Sequence, residues 1–269
     1  MRKLVAQIVI VLLCLAMAPL SAHEYWLDPL NYRLADTGQI QSHIRVGQYF
    51  KGDSYAYLPS EVESVQIHWQ DTSRSIEPRF GATPAVKQQS PGEGLNILTI
   101  STSPFSLTYT EREKFEKFIK TERLDWVPEA HKKRGLPDVG FVEAYYRHAK
   151  TLVQVANNAG KDRKVGLKFE WVLQSNPYVD TTNELSAQLW WQNEQYANAH
   201  CKLFLKQGGE VTVIDLQTDD EGYVTLPRKS NANYLLNAVL MQLPSQQNIE
   251  NLDAVWESHW ASVTFSTEE

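Results

Sequence analysis

The sequence predicts a mainly β fold: two β-sandwich domains of the Ig-like or prealbumin-like kind, joined by a helical insert. Three observations predict it. Short runs alternate apolar and polar residues with period two, as in Ile40-Gln41-Ser42-His43-Ile44-Arg45-Val46. Turn-rich stretches such as Lys51-Gly52-Asp53-Ser54 and Ser90-Pro91-Gly92-Glu93-Gly94 punctuate those runs. The alternation stops near Thr110 and resumes near Leu167. That break sets the expected organisation: residues 1–22 a signal peptide, 23–108 an N-terminal β domain, 109–160 the helical insert and 161–269 a C-terminal β-sandwich. With 269 residues, 42% of them hydrophobic and including 8 Trp, 12 Tyr and 9 Phe, the chain has ample material for a core.

Residues 1–22 open with the basic pair Arg2-Lys3. An apolar run follows from Val5 to Ala18, broken by a single Gln, and then Leu20-Ser21-Ala22. This is the pattern of a cleaved signal peptide, and the run is short for a membrane span. Cys14 lies within the run behind Leu13 rather than a small residue, so no lipid anchor is expected. Cleavage after Ala22, with Ala18 as the other possible site, gives a periplasmic chain that begins at His23. Loss of Arg2 and Lys3 leaves 24 basic against 32 acidic residues, a charge of −8. An acidic chain is a poor partner for nucleic acid or an anionic membrane surface. The basic stretch His131-Lys132-Lys133-Arg134 reads as a solvated loop. Beyond the leader the one cysteine is Cys201, in phase with Leu203 and Leu205, so a buried thiol and no intramolecular disulfide are expected.

In the first β domain, Val65-Gln66-Ile67-His68-Trp69 and Leu95 to Ile100 are further strands. In the insert, Thr110-Glu111-Arg112-Glu113 has the form of a capping box, and Phe115, Phe118 and Ile119 follow at helical spacing. A second helix is predicted over about 138–156, where Phe141, Tyr145, His148 and Leu152 form one stripe opposite Glu143, Arg147 and Lys150. Alternation then predicts strands at Leu167 to Trp171, Leu185 to Trp191, His200 to Lys206, Tyr234 to Leu243 and Trp256 to Phe265, with a turn at Thr218-Asp219-Asp220-Glu221-Gly222.

The position with unusual chemistry is His23. Cleavage after Ala22 leaves an α-amine and an imidazole on one residue, with ordinary pKa values of roughly 7.7–8.0 and about 6.5. Both shed protons near neutrality, and together they chelate an ion that prefers nitrogen in a tetragonal field, such as Cu(II) or Ni(II). The third residue of the processed chain is Tyr25, which excludes a site built on a third-position histidine. His43, His68 and His200 fall on the polar phase of their strands and read as surface residues, and His131 falls in the basic loop. His148 and His259 lie on apolar phases. Each is open to two readings: a satisfied core histidine, or a further metal ligand whose second ring nitrogen is held by a carboxylate or carbonyl. The chain has no paired-cysteine zinc pattern, no His-Glu-x-x-His, no phosphate loop and no Gly-x-Ser-x-Gly elbow, and so is not expected to be an enzyme. The acidic turn at 218–222 lacks calcium-loop spacing, and Trp190-Trp191 needs only to cover a sheet face.

Several segments carry a resemblance. They are Ala22-His23-Glu24-Tyr25-Trp26-Leu27-Asp28-Pro29, Phe115-Glu116-Lys117-Phe118, Tyr145-Tyr146-Arg147-His148-Ala149-Lys150-Thr151-Leu152, Asn176-Pro177-Tyr178, the 218–222 turn, and Trp256-Glu257-Ser258-His259-Trp260-Ala261-Ser262-Val263-Thr264-Phe265. In order and spacing the chain resembles a family of exported proteins described as periplasmic components of nickel/cobalt transport, many of them known only as a domain of unknown function. The resemblance implies a periplasmic metal-binding or metal-delivery role with His23 as the inherited ligand; taken with the histidine chemistry above, the expectation is capture of a divalent transition metal (Ni, Co or Cu) for a membrane transporter, with His259 or His148 as a third ligand. Two departures stand out. Where the family often has Ala-Val-His-Met before the last strand, this chain has Ala238-Val239-Leu240-Met241, and His148 and His259 stand where the family has Tyr or another bulky residue. The competing expectations are a structural or adhesive envelope module without metal, and a copper enzyme built on an N-terminal histidine.

Overall fold

A computed structural model describes residues 23–268. The leader expected at 1–22, with its cleavage site and Cys14, lies outside the described residues.

The chain is mainly β. The first part supplies β1 (Glu24–Pro29), β2 (Arg33–Leu34), β3 (Gln39–Gln48), β4 (Lys51–Tyr55), β5 (Val62–Trp69), β6 (Thr72–Ser75), β7 (Val86–Gln89), β8 (Gly94–Thr102) and β9 (Phe105–Tyr109). Helices α1 (Arg112–Thr121) and α2 (Val127–Lys133) follow, then the long strand β10 (Phe141–Val155). The remainder is β11 (Phe169–Leu173), β12 (Glu184–Trp191), β13 (Glu194–Gln195), β14 (His200–Gln207), β15 (Glu210–Gln217), β16 (Tyr223–Pro227), β17 (Ala232–Gln242), α3 (Gln246–Leu252) and β18 (Ala254–Ser266).

These strands form three layers. A ten-stranded sheet in the order β15-β14-β17-β18-β10-β8-β5-β6, with β2 and β9 also on β10, is the middle one. On one face lies the sheet β1-β3-β4 with β7, packed through Leu27, Ile40 and Val86 against Ile67, Ile100 and Val153. On the other lies β11-β12-β13 with β16, packed through Trp171, Leu189 and Leu226 against Leu203, Leu236 and Val263. Middle strands are therefore covered on both faces, and β8 is buried at every position. Two-sided burial erases the polar phase of a strand.

The pairing corrects the expected division into two sandwiches. β5, β6 and β8 come from residues 23–108 and β14, β15, β17 and β18 from 161–269, yet all share one hydrogen-bonded sheet with β10 near its centre. β10 runs parallel to β18 and antiparallel to β8 and β9. Period-two patterning identifies strands but carries no information about which strand pairs with which.

The helical insert is shorter than expected. α1 buries Phe115, Phe118 and Ile119 as its spacing predicts, but its N-cap is Glu111, without a side-chain cap, and Glu111 instead pairs with Lys114 at 2.8 Å. The expected basic loop at 131–134 belongs largely to α2, and His131 is buried between Phe115, Phe141 and Trp256. The predicted helix over 138–156 is a strand. Its residues are rich in Val, Tyr and Thr, which favour the pleated surface, and Gly140 turns the chain into it at φ 80°, a conformation costly for any residue with a Cβ. The apparent stripe was a coincidence of spacing: on a strand, Phe141 and Tyr145 share one face, and His148 and Leu152 the other.

Candidate functional site

β1 is held on the middle sheet by side-chain hydroxyls. Ser262 Oγ donates to the Tyr25 carbonyl and Thr264 Oγ1 to the Leu27 carbonyl, each at 2.7 Å. His23, just before β1, and Trp260, two residues before Ser262, both line a cavity of about 780 Å³. β10 contributes its odd residues Glu143, Tyr145 and Arg147, α1 contributes Phe118, stacked on Trp260 with ring centres 5.7 Å apart, and β4 brings Asp53 and the half-exposed Tyr55 to the mouth.

Arg147 is the basic group that β10 brings to the cavity. Its guanidinium carbon sits 5.4 Å from the Tyr25 ring centre and 5.1 Å from that of Tyr145, and its Nη2 donates to the His23 carbonyl at 3.4 Å. Burial lowers its pKa. Glu143 accepts from Tyr109 Oη at 2.6 Å and from Ser258 Oγ, and burial raises its pKa. Behind His23, Glu24 borders a second cavity of about 450 Å³ beside the ion pair of Lys202 and Glu122. One oxygen of Glu24 has no partner, and burial pushes its pKa up to about 7.

His148 and His259 are brought together, but on the opposite face of the middle sheet from His23. Arg147 and His148 are successive residues of one strand, so their side chains diverge, and the contact with His23 belongs to Arg147. The two histidines stack at 5.5 Å inside a buried hydrogen-bonded row. Ser101 Oγ donates to His148 Nδ1 (3.1 Å), His148 Nε2 to His259 Nδ1 (3.2 Å), and His259 Nε2 to Glu257 Oε1 (2.8 Å). Glu257 also accepts from Gln242, Ser245 and Asn248, and these bonds hold its pKa well below the carboxylate range despite burial. Every ring nitrogen of the pair is thus engaged, and Ser101 is buried and lines neither cavity. The expected set of His23 with His148 or His259 is not assembled. Among the described residues, no group of three or more His, Cys, Asp or Glu side chains is placed to hold a metal ion.

Other sequence assignments resolve case by case. Cys201 is buried, and desolvation pushes its thiol up to about 12. His43 is partly exposed, as its phase predicts, but the His200 side chain is largely covered, with its Nε2 on Asp215 Oδ1 at 2.7 Å. His68 is buried, its ring bonded to Ser73 Oγ (2.7 Å) and Thr99 Oγ1 (3.1 Å), and burial lowers its pKa to about 4. The helix expected over 138–156 hides the cavity residues Glu143, Tyr145 and Arg147. As a strand, Arg147 shares a phase with Ala149, Thr151 and Val153, and a lone arginine on an apolar face was the available signal.

A family model described as "Domain of unknown function (DUF4198)" matches residues 20–242. The chain belongs to this family. The match takes in β1 through β17 and ends before β18, and the family's description names no activity, ligand or metal. No curated protein matches the chain. Among solved structures, the crystal structure of chicken CNTN1 FN1-FN3 domains is similar over 90% of this chain, with 10% identity and a TM-score of 0.23. The chain spans 66% of the length of that structure's chain, and a likeness this slight has no bearing on the fold. No helix among the described residues is long and apolar enough to cross a membrane.

Proposed function

We propose that the chain is a periplasmic capture protein for a divalent transition metal, nickel, cobalt or copper, which it passes to a membrane transporter. The observation that carries this reading is the position of His23 on the wall of a 780 Å³ cavity. Removal of residues 1–22 would leave His23, a residue of that wall, carrying both an amine and an imidazole. The chelate needs only atoms of that residue, in keeping with the lack of a three-residue cluster among the described side chains, and water or a small molecule in the cavity completes the coordination. The resemblance to nickel/cobalt transport proteins points the same way. Because the ring must be neutral to bind, affinity falls below about pH 6.

Calorimetric titration of the signal-cleaved protein with Ni(II), Co(II) and Cu(II) tests the reading. Heat that disappears in His23→Ala is expected, and no heat above that variant ends the proposal. A second reading, an envelope β-module without metal, draws on the internal engagement of all four His148 and His259 nitrogens. It predicts no metal affinity in the same titration.

A further inference from the structure

We propose that Arg147 marks a subsite for the carboxylate of a small aromatic acid whose ring occupies the apolar part of the same cavity. The inference goes beyond metal capture and shares with it only the cavity.

The argument starts from an arginine without an anion. The Arg147 guanidinium lies over the rings of Tyr25 and Tyr145, contacts that leave its N–H groups in need of acceptors. Nη2 makes one long bond to the His23 carbonyl, and the buried Nε has no acceptor. Among the described residues, none of the ion pairs includes Arg147. A guanidinium removed from bulk water is ordinarily met by a carboxylate, often through two parallel hydrogen bonds. The acidic groups that face it do not fill that role. Glu143, on its own strand, is taken by Tyr109 and Ser258, and Glu24 on β1 turns toward the second cavity and Lys202. Glu61 lies at the wall without a bond to it. An external carboxylate completes the set.

The rest of the cavity selects what the carboxylate is attached to. Its volume lies in the range that encloses small organic ligands, roughly 300–1,000 Å³. Phe105, Leu107, Tyr109, Phe118 and Trp260 line it and give a flat ring an apolar, mostly aromatic wall. A bare inorganic anion would leave those walls unused, and a neutral aromatic would leave Nε unpaired.

The test uses signal-cleaved protein freed of metal by a chelator. Benzoate, 4-hydroxybenzoate and indole-3-acetate are titrated calorimetrically beside their primary amides, with acetate as the head group alone. Binding of at least one acid at about 1 mM or tighter is expected, with its amide and acetate each weaker by roughly tenfold or more. In Arg147→Gln, the preference for acid over amide should vanish. Equal binding of acid and amide, acetate as good as the aromatic acids, or no binding by any of the three acids overturns the proposal. Should Arg147→Gln lose its near-UV circular dichroism, the acid and amide comparison on the unaltered protein decides alone. With metal absent throughout, failure of this inference and failure of metal capture are separate results.

Discussion

His148 and His259 show how a side chain's role follows from what its nitrogens touch. Burial lowers both pKa values, that of His148 to about 3, with the neighbouring histidine and Lys168 adding to the effect, while Glu257 works against it at His259. In the unfolded chain these rings take up protons near pH 6.5, and in the folded chain they resist doing so. The stability they confer is therefore fully present above about pH 6.5 and declines as pH falls toward 3, by about 1.4 kcal/mol per pH unit for one such ring. His148→Leu unpairs Ser101 and His259 Nδ1. It should cost about 2–4 kcal/mol at pH 7 in urea unfolding and flatten the decline between pH 7 and 5. Equal pH dependence in both proteins would contradict the assignment. The apolar phase of both residues is legible in the sequence. Their partnership is not, because it joins positions 111 residues apart. His68 fails for a similar reason: the segment after β10 folds back near it, with Arg163 donating to the Gln70 carbonyl, and hides a polar phase that β5 alone presents as exposed.

At the scale of elements, β10 is the centre of the fold and the element the sequence concealed. Its aromatic residues satisfy a helical stripe and a strand alternation at once, and only the pairing with β8, β9 and β18 decides between them. Lys150, on its even face, ties the following segment in place. Its Nζ makes buried contacts with Asp162 and Glu170 at 2.8 Å each and donates to the carbonyls of Arg163 (2.9 Å) and Trp171 (3.0 Å). Glu170 in turn accepts from the backbone N–H groups of Val165, Gly166 and Leu167. Removing one member of such a group strands the others in a dry interior. Lys150→Met should lower unfolding free energy by about 3–5 kcal/mol, whereas Arg112→Ala, which breaks only the exposed pairs with Glu116 and Asp138, should leave it nearly unchanged. Comparable losses in urea melts of the two variants would show that the buried cluster has no special weight.

For the whole molecule, strands β3, β5, β8, β11, β12, β14, β17 and β18 are legible one by one, whereas the stretch 51–54, expected as a turn, belongs to β4, and β15 carries no prediction. The union of strands from both halves in a single ten-stranded sheet is not legible, since alternation is local and pairing is not. That union creates the cavity. β1 lies across β10 and β18, elements more than a hundred residues away, and the bonds from Ser262 and Thr264 set its register so that His23 shares the cavity wall with Trp260 and Arg147. A sequence reading identifies His23 from its place after the expected leader but cannot supply the enclosure around it. The most direct measurement is electron paramagnetic resonance of Cu(II) added at one equivalent to the signal-cleaved protein. The account predicts a bound-copper spectrum with nitrogen couplings from both amine and imidazole, and loss of the imidazole contribution in His23→Ala. A spectrum of free aqueous copper, or one unchanged by that substitution, would contradict it.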